Sequence, residues 1–328
     1  MFRYLTVLTV LLILLGLNAL IALSWGQFHI ALSEIWPVLS GRSADEMLTN
    51  IIFNLRLPRI AAAILVGAAL AAAGTVFQGI FRNPLVSPDL LGVSGGACVG
   101  AATSILLGVG IFGIQAASFL GGLIAVIMTM TLPKLVRQDS NIILVLSGII
   151  ISGFMGACLG LLKYIADPET ELAEIVYWQL GSLARAEPAN LMVLTPIVLI
   201  TLGVLFAMRW RINLLSLGEL EAKLAGANVR LERNIMVVCA TLLTASAVCI
   251  SGTIGWVGLV VPHLARMFVG DNNLRTFPIS IITGSLFLLL IDTLARNLYQ
   301  QEIPLSILSG FIGAPFFAWV LVKQRVVD

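Results

Sequence analysis

From Ile60 to Phe81 the chain runs for 22 residues without a charged side chain, beginning IAAAILVGAALAAAGTVF. A helix of that length spans about 33 Å, enough to cross the roughly 30 Å hydrocarbon core of a bilayer. At least eight stretches of this kind follow one another along the sequence. In lipid a backbone must satisfy its own N–H and C=O groups, so such segments are helices or strands of a closed barrel. Barrel strands alternate apolar and polar residues, and these runs do not. Composition agrees: 59% of the 328 residues are hydrophobic and 11% are charged, against about 25% charged in a soluble domain. The chain is expected to be an all-α integral membrane protein with one transmembrane domain over residues 1–328.

Ten spans are predicted: 5–25, 58–80, 90–108, 112–133, 142–163, 191–208, 234–251, 254–270, 278–296 and 304–322. The first has an apolar region too long for a signal peptide and no small-residue cleavage site close behind it, so it is read as a retained helix. An even number of spans puts both termini on one side. With the termini inside, the outer segments hold Arg42, Arg56, Arg59, Lys163, Arg185 and Arg296, and the other 13 of the 19 basic residues lie inside. The positive-inside rule then places both termini in the cytoplasm. Outside lie residues 26–57 and the connector 164–190, YIADPETELAEIVYWQLGSLARAEPAN. The connector carries five acidic groups and is expected to form a short amphipathic helix. The 30 glycines fit close helix packing through small residues, and also fit small residues lining a wide path.

Several classes of function find no support. There is no basic cluster for nucleic acid. Cys98, Cys158, Cys239 and Cys249 fall inside apolar runs without metal-ligand spacing, and read as small buried thiols. His29 and His263 have no companions for a metal site. Paired catalytic acids, HExxH and a phosphate-binding G-x-x-x-x-G-K-[ST] are all missing, so an enzymatic role and direct nucleotide binding are not expected. An ion-coupled secondary transporter keeps ionisable groups near the midplane. Asp292 is the one carboxylate well inside a span, and Arg296 one turn later offers it an i,i+4 ion pair.

Three stretches remain. Residues 216–233, SLGELEAKLAGANVRLER, hold six charges between two apolar spans. Ser216 and Glu219 have capping-box spacing, the helix Leu217–Ala225 is predicted to stop at Gly226, and Leu217, Leu220 and Leu224 form an apolar stripe. A helix resting on headgroups and a knob for a soluble partner fit equally well. NLRLPR places Arg56 and Arg59 at the outer end of the second span, with Arg296 at the outer end of the ninth. Such arginines reach headgroups or grip carboxylates in bidentate fashion. Asn83-Pro84-Leu85, followed by Ser87-Pro88, implies non-helical backbone at the inner end of the second span, either an ordinary turn or a gate.

Four motifs together resemble the permease subunit of the ATP-binding-cassette importers for iron-siderophore, haem and cobalamin. They are NLRLPRIAAAILVGAALAAAG (54–74), FQGIFRNPLVSPDLLGVSGGA (77–97), SLGELEAKLAGANV (216–229) and GTIGWVGLVVPHLARMFVG (252–270). The resemblance covers essentially the whole chain. It implies a type II importer permease of about ten helices per subunit, a two-fold relation between the halves, and a functional dimer. It implies that 216–233 forms coupling helices, with Leu217, Gly218, Glu219, Glu221, Ala225 and Gly226 set against an ATPase. Arg56, Arg59 and Arg296 would dock a periplasmic or lipid-anchored substrate-binding protein. Asn83, Pro84 and Leu85 would form one cytoplasmic gate, and Ser140 with Asn141 a second. ATP and Mg would bind to two partner ATPase subunits, with no cofactor in this chain. The expected cargo is a metal chelate, or an oxyanion such as molybdate, and the setting a bacterial inner membrane.

Overall fold

The structure is a computed structural model and describes residues 2–42, 45–136 and 141–325. Every predicted span coincides with a helix. Among the described residues, seven are long and apolar enough to cross a membrane. These are α1 (Phe2–Ser24), α4 (Leu57–Phe81), α6 (Ile111–Leu135), α7 (Asn141–Ile165), α9 (Pro188–Leu217), α11 (Val229–Ser251) and α13 (Asn273–Asn297). The other three are shorter apolar helices: α5 (Val93–Leu106), α12 (Val257–Val269) and α14 (Leu305–Arg325). Small helices fill the connections: α2 (Leu32–Leu39), α3 (Glu46–Asn50), α8 (Glu171–Leu180) and α10 (Glu219–Leu224). A π-helical stretch, Ile51–Arg56, feeds α4.

Helix α4 is the hub. It packs on α13, α11, α12 and α9, and it is buried along nearly its whole length. Small residues make this possible. A Cβ on Gly74 would lie 1.9 Å from the Gly258 carbonyl oxygen, and one on Gly67 would lie 2.2 Å from that of Gly284. Backbones approach this closely only where neither side carries a side chain.

A repeat invisible in the sequence appears in the pairings. In the first half α5 packs on α6 and α6 on α7; in the second, α12 packs on α13 and α13 on α14. Across the halves the roles exchange: α4 packs on α12 and α13, while α11 packs on α5 and α6. Since α4 and α11 run in opposite directions, the two halves are inverted copies. Each half contains one short helix entered through irregular backbone, residues 82–92 before α5, which include a one-turn 3-10 helix at Pro88–Leu91, and residues 252–256 before α12. Thirteen or fourteen residues reach only about 20 Å, so both helices begin part-way through the bundle. The two openings meet, for Pro88 lies against Gly258. Pro262 deprives the Gly258 carbonyl of its helical donor, and the Gln78 side-chain amide supplies one at 3.4 Å.

Two boundaries need correcting. α9 continues nine residues past its predicted end at 208, because Arg209 and Arg211 mark the edge of the apolar run and not the end of the helix. Ser216 therefore lies inside α9, where its hydroxyl donates to Asn213 O at 2.7 Å, and the capping box with Glu219 does not form. Leu217 closes α9, and Gly218, at φ +133°, is the N-cap of α10.

Candidate functional site

The bundle has two ends with polar machinery. One carries α10 and the α9–α11 connection. The six-residue α10 ends in paired reverse hydrogen bonds, Gly226 N to Lys223 O at 2.9 Å and Ala227 N to Ala222 O at 2.9 Å. Gly226 sits at φ +82° between them. This is the stop expected of a glycine one residue past the cap. Asn228 caps α11 by accepting from Leu231 N at 3.2 Å.

One face of α10 holds it down. Ala222 is buried, Glu219 pairs with Arg233 of α11 at 3.1 Å, and Arg211 of α9 pairs with Glu232 at 3.4 Å. The other face is open. Leu217, Leu220 and Leu224 are 60%, 67% and 81% exposed. Single exposed leucines are ordinary, but here Leu220 and Leu224 stand one turn apart on α10 and Leu217 at the end of α9 lies just before them, so three open leucines gather at one short element. Glu219 keeps 47% side-chain exposure while it tethers α10 to Arg233.

Beside α10 opens a cleft of about 490 Å³, walled by Gln78, Arg82, Asn83, His263, Arg266 and Asp271. Arg82 ends α4 in the left-handed region at φ 54°. Asn83 then accepts from Leu85 N at 2.9 Å, which folds Asn83-Pro84-Leu85 into a tight turn at the cleft mouth. Arg266 donates to Gln78 Oε1, and this bond joins the cleft wall to the amide that services Gly258. Of the second expected gate, Ser140 lies outside the described residues, and Asn141 begins α7.

At the opposite end, where α4 starts and α13 finishes, sit the three arginines. They are not exposed, and this overturns their expected presentation to solvent: Arg56, Arg59 and Arg296 are 5%, 8% and 8% exposed. Arg56 donates to the carbonyls of Leu23 and Phe28. Arg59 Nε binds Asp292 Oδ1 at 2.9 Å, and its fork grips Glu302, Nη1 to Oε1 at 2.5 Å and Nη2 to Oε2 at 3.0 Å. Arg296 meets Asp292 at 3.2 Å through the i,i+4 spacing read from the sequence. Asp292 is fully buried. Glu302, which the sequence reading passed over, completes the cluster. Its only sequence signal was an acid next to a proline-bounded turn, and no spacing rule links it to Arg59.

Comparison with known proteins fixes the class, since the FecCD transport family matches residues 11–323. The chain belongs to the FecCD transport family. It is 38% identical to the molybdate import system permease protein MolB of Haemophilus influenzae over 95% of the chain and 94% of that protein. Identity to the hemin transport system permease protein HmuU of Yersinia pestis is 37%, over 96% and 95%. A probable iron chelatin transport system permease protein of Helicobacter pylori is 39% identical, over 94% and 96%. A solved structure described as an inward-facing conformation of a metal-chelate type ABC transporter aligns at TM-score 0.88 and 38% identity, covering 97% of this chain and 99% of that one. PsaBC from Streptococcus pneumoniae, at TM-score 0.60 and 17% identity, shares the fold alone.

The FecCD chain is thus a multi-pass permease subunit of an ABC importer with the type II architecture. ATPase activity belongs to a separate subunit, and permeases of this family work with ATPase and substrate-binding partners.

Proposed function

We propose that this FecCD permease forms, as a homodimer, the translocation path of a binding-protein-dependent metal-chelate importer. The observation that carries the reading is the group of open leucines at the end of α9 and on α10, beside the cleft. In this reading α10 seats in a cleft of one ATPase subunit, two per transporter, with Leu217, Glu219, Leu220, Glu221, Leu224, Ala225 and Gly226 at the contact and Gly218, which is buried, behind it. Covering three leucines would be worth about 1.5–3 kcal/mol each. That end is then cytoplasmic, along with both termini, and the membrane is a bacterial inner membrane. ATP and Mg bind on the partner.

ATP-driven closure would move α10, and Glu219–Arg233 would pass the motion to α11. The turn Asn83-Pro84-Leu85 borders the cleft through which cargo would leave and acts as a gate, with Asn141 in the same role. Different contacts in each state shift the populations of outward and inward access. At the opposite end the arginine cluster docks the binding protein through carboxylates.

Metal-chelate cargo is favoured because relatives are named for iron chelatin and hemin transport. Molybdate is the second reading, favoured by the 38% identity to MolB. The test is uptake into proteoliposomes holding the full transporter and its binding protein. Radiolabelled ferric siderophore, hemin, cobalamin and molybdate are compared, with and without ATP. ATP-dependent accumulation of one chelate is expected; accumulation of molybdate alone would replace the reading with the second.

A further inference from the structure

The arginine cluster holds three guanidinium groups and two carboxylates. Arg56 stands within electrostatic reach of Arg296, and Arg296 Nη2 is buried with no hydrogen-bond acceptor among the described residues. Asp292 Oδ2, 3.2 Å from Arg296 Nε, is likewise without a hydrogen bond among the described residues, so the Arg296 side of the cluster is held by charge and not by hydrogen bonds. Its two carboxylates are not alike. Asp292 has 0% side-chain exposure and sits on α13 between Arg59 and Arg296. Glu302 keeps 26% side-chain exposure and sits in the non-helical link 298–304 between α13 and α14. The link is pinned lightly, by Ile303 N to Ala295 O at 3.1 Å and by Gln27 to Gln300 O at 3.1 Å. Glu302 nevertheless takes the planar edge of Arg59, the edge that matches a carboxylate in two parallel bonds.

We propose that Glu302 is a displaceable latch over Arg59, an internal carboxylate holding the place of one supplied by the docking partner. This rests on the docking reading above. When a partner carboxylate arrives, it takes the Arg59 fork, Glu302 turns out to solvent through its exposed side, and Asp292 keeps Arg59 and Arg296 in position. The exchange explains how an arginine only 8% exposed serves as a docking group without standing uncompensated in the free permease. It also lowers the affinity of the free permease for its partner, because the incoming acid must displace a bidentate pair and meets one more negative charge.

The latch is tested with the permease–ATPase complex in lipid nanodiscs and its purified cognate binding protein, by surface-immobilised binding kinetics. Glu302→Gln keeps the shape and removes the charge. Binding about tenfold tighter is expected, mainly through faster association, the usual signature of a rim charge. Arg59→Gln should weaken binding by about tenfold or more. If Glu302→Gln binds no more tightly while Arg59→Gln loses binding, the latch is overturned and docking stands. If neither variant changes binding, docking at this cluster fails and takes the latch with it. Should Glu302→Gln unfold, Glu302→Asp carries the same test, because it is one methylene too short for the fork; unchanged binding there also overturns the latch.

Discussion

The two ends of the bundle present contact groups in opposite ways. At the α10 end the groups are apolar, local in sequence and open, with Leu220 and Leu224 at 67% and 81% exposure. At the far end they are charged, contributed by distant segments, and closed, with Arg59 and Arg296 both at 8%. An apolar stripe stays in water or lipid headgroups at modest cost. A guanidinium taken out of water needs carboxylates or carbonyls at once. A charged cluster inside a bundle is therefore built with its own carboxylate partners, and an open group of leucines is not.

The largest expected effect breaks the comparison at the closed end. Asp292→Ala leaves Arg59 and Arg296 facing each other with one carboxylate fewer, which should cost about 3–5 kcal/mol, read as a large fall in the unfolding temperature of the detergent-solubilised chain. A loss below about 1 kcal/mol would mean that the cluster is solvated and that the two ends do not differ as described. Next in size, Leu220→Glu with Leu224→Glu should cut recovery of the co-purified ATPase by about tenfold or more, as hot-spot residues do, with the unfolding temperature unchanged. A fall in both readings together would make the stripe part of the permease core. The smallest effect sharpens the open end. Gly226→Ala forces a Cβ into a backbone at φ +82°, with nothing within 4 Å to clash. The expected cost is about 1 kcal/mol, measured by chemical denaturation of the purified chain. No change would show that the α10 stop tolerates any residue.

Much of this was legible in the sequence where the physics is local. Ten apolar runs marked ten helices, because the lipid requirement acts on each segment separately. Gly226 gave the stop of α10 and the 292/296 spacing gave an ion pair, since both are set within one turn. Reading failed where local signals competed. Ser216 and Glu219 have the spacing of a capping box, yet α9 propagates through Ser216 because each helical bond favours the next, and Gly218 takes the cap. The short α5 and α12 were read as full spans because apolar composition does not reveal where a helix begins inside a bundle.

By itself the sequence determined that the chain is a helical membrane protein, where its spans lie, and that a charged two-turn element interrupts them. Those properties follow from solvent and from neighbours along the chain. Tertiary structure alone decided that the halves are inverted copies and that Gln78 serves an α12 carbonyl 180 positions away. It also decided that Arg59 is closed over by Asp292 and Glu302, 233 and 243 positions distant. The cause is the same in each case. A buried polar group takes whichever partner the packing of glycine-lined helices brings within hydrogen-bond reach, and no sequence spacing encodes that partner.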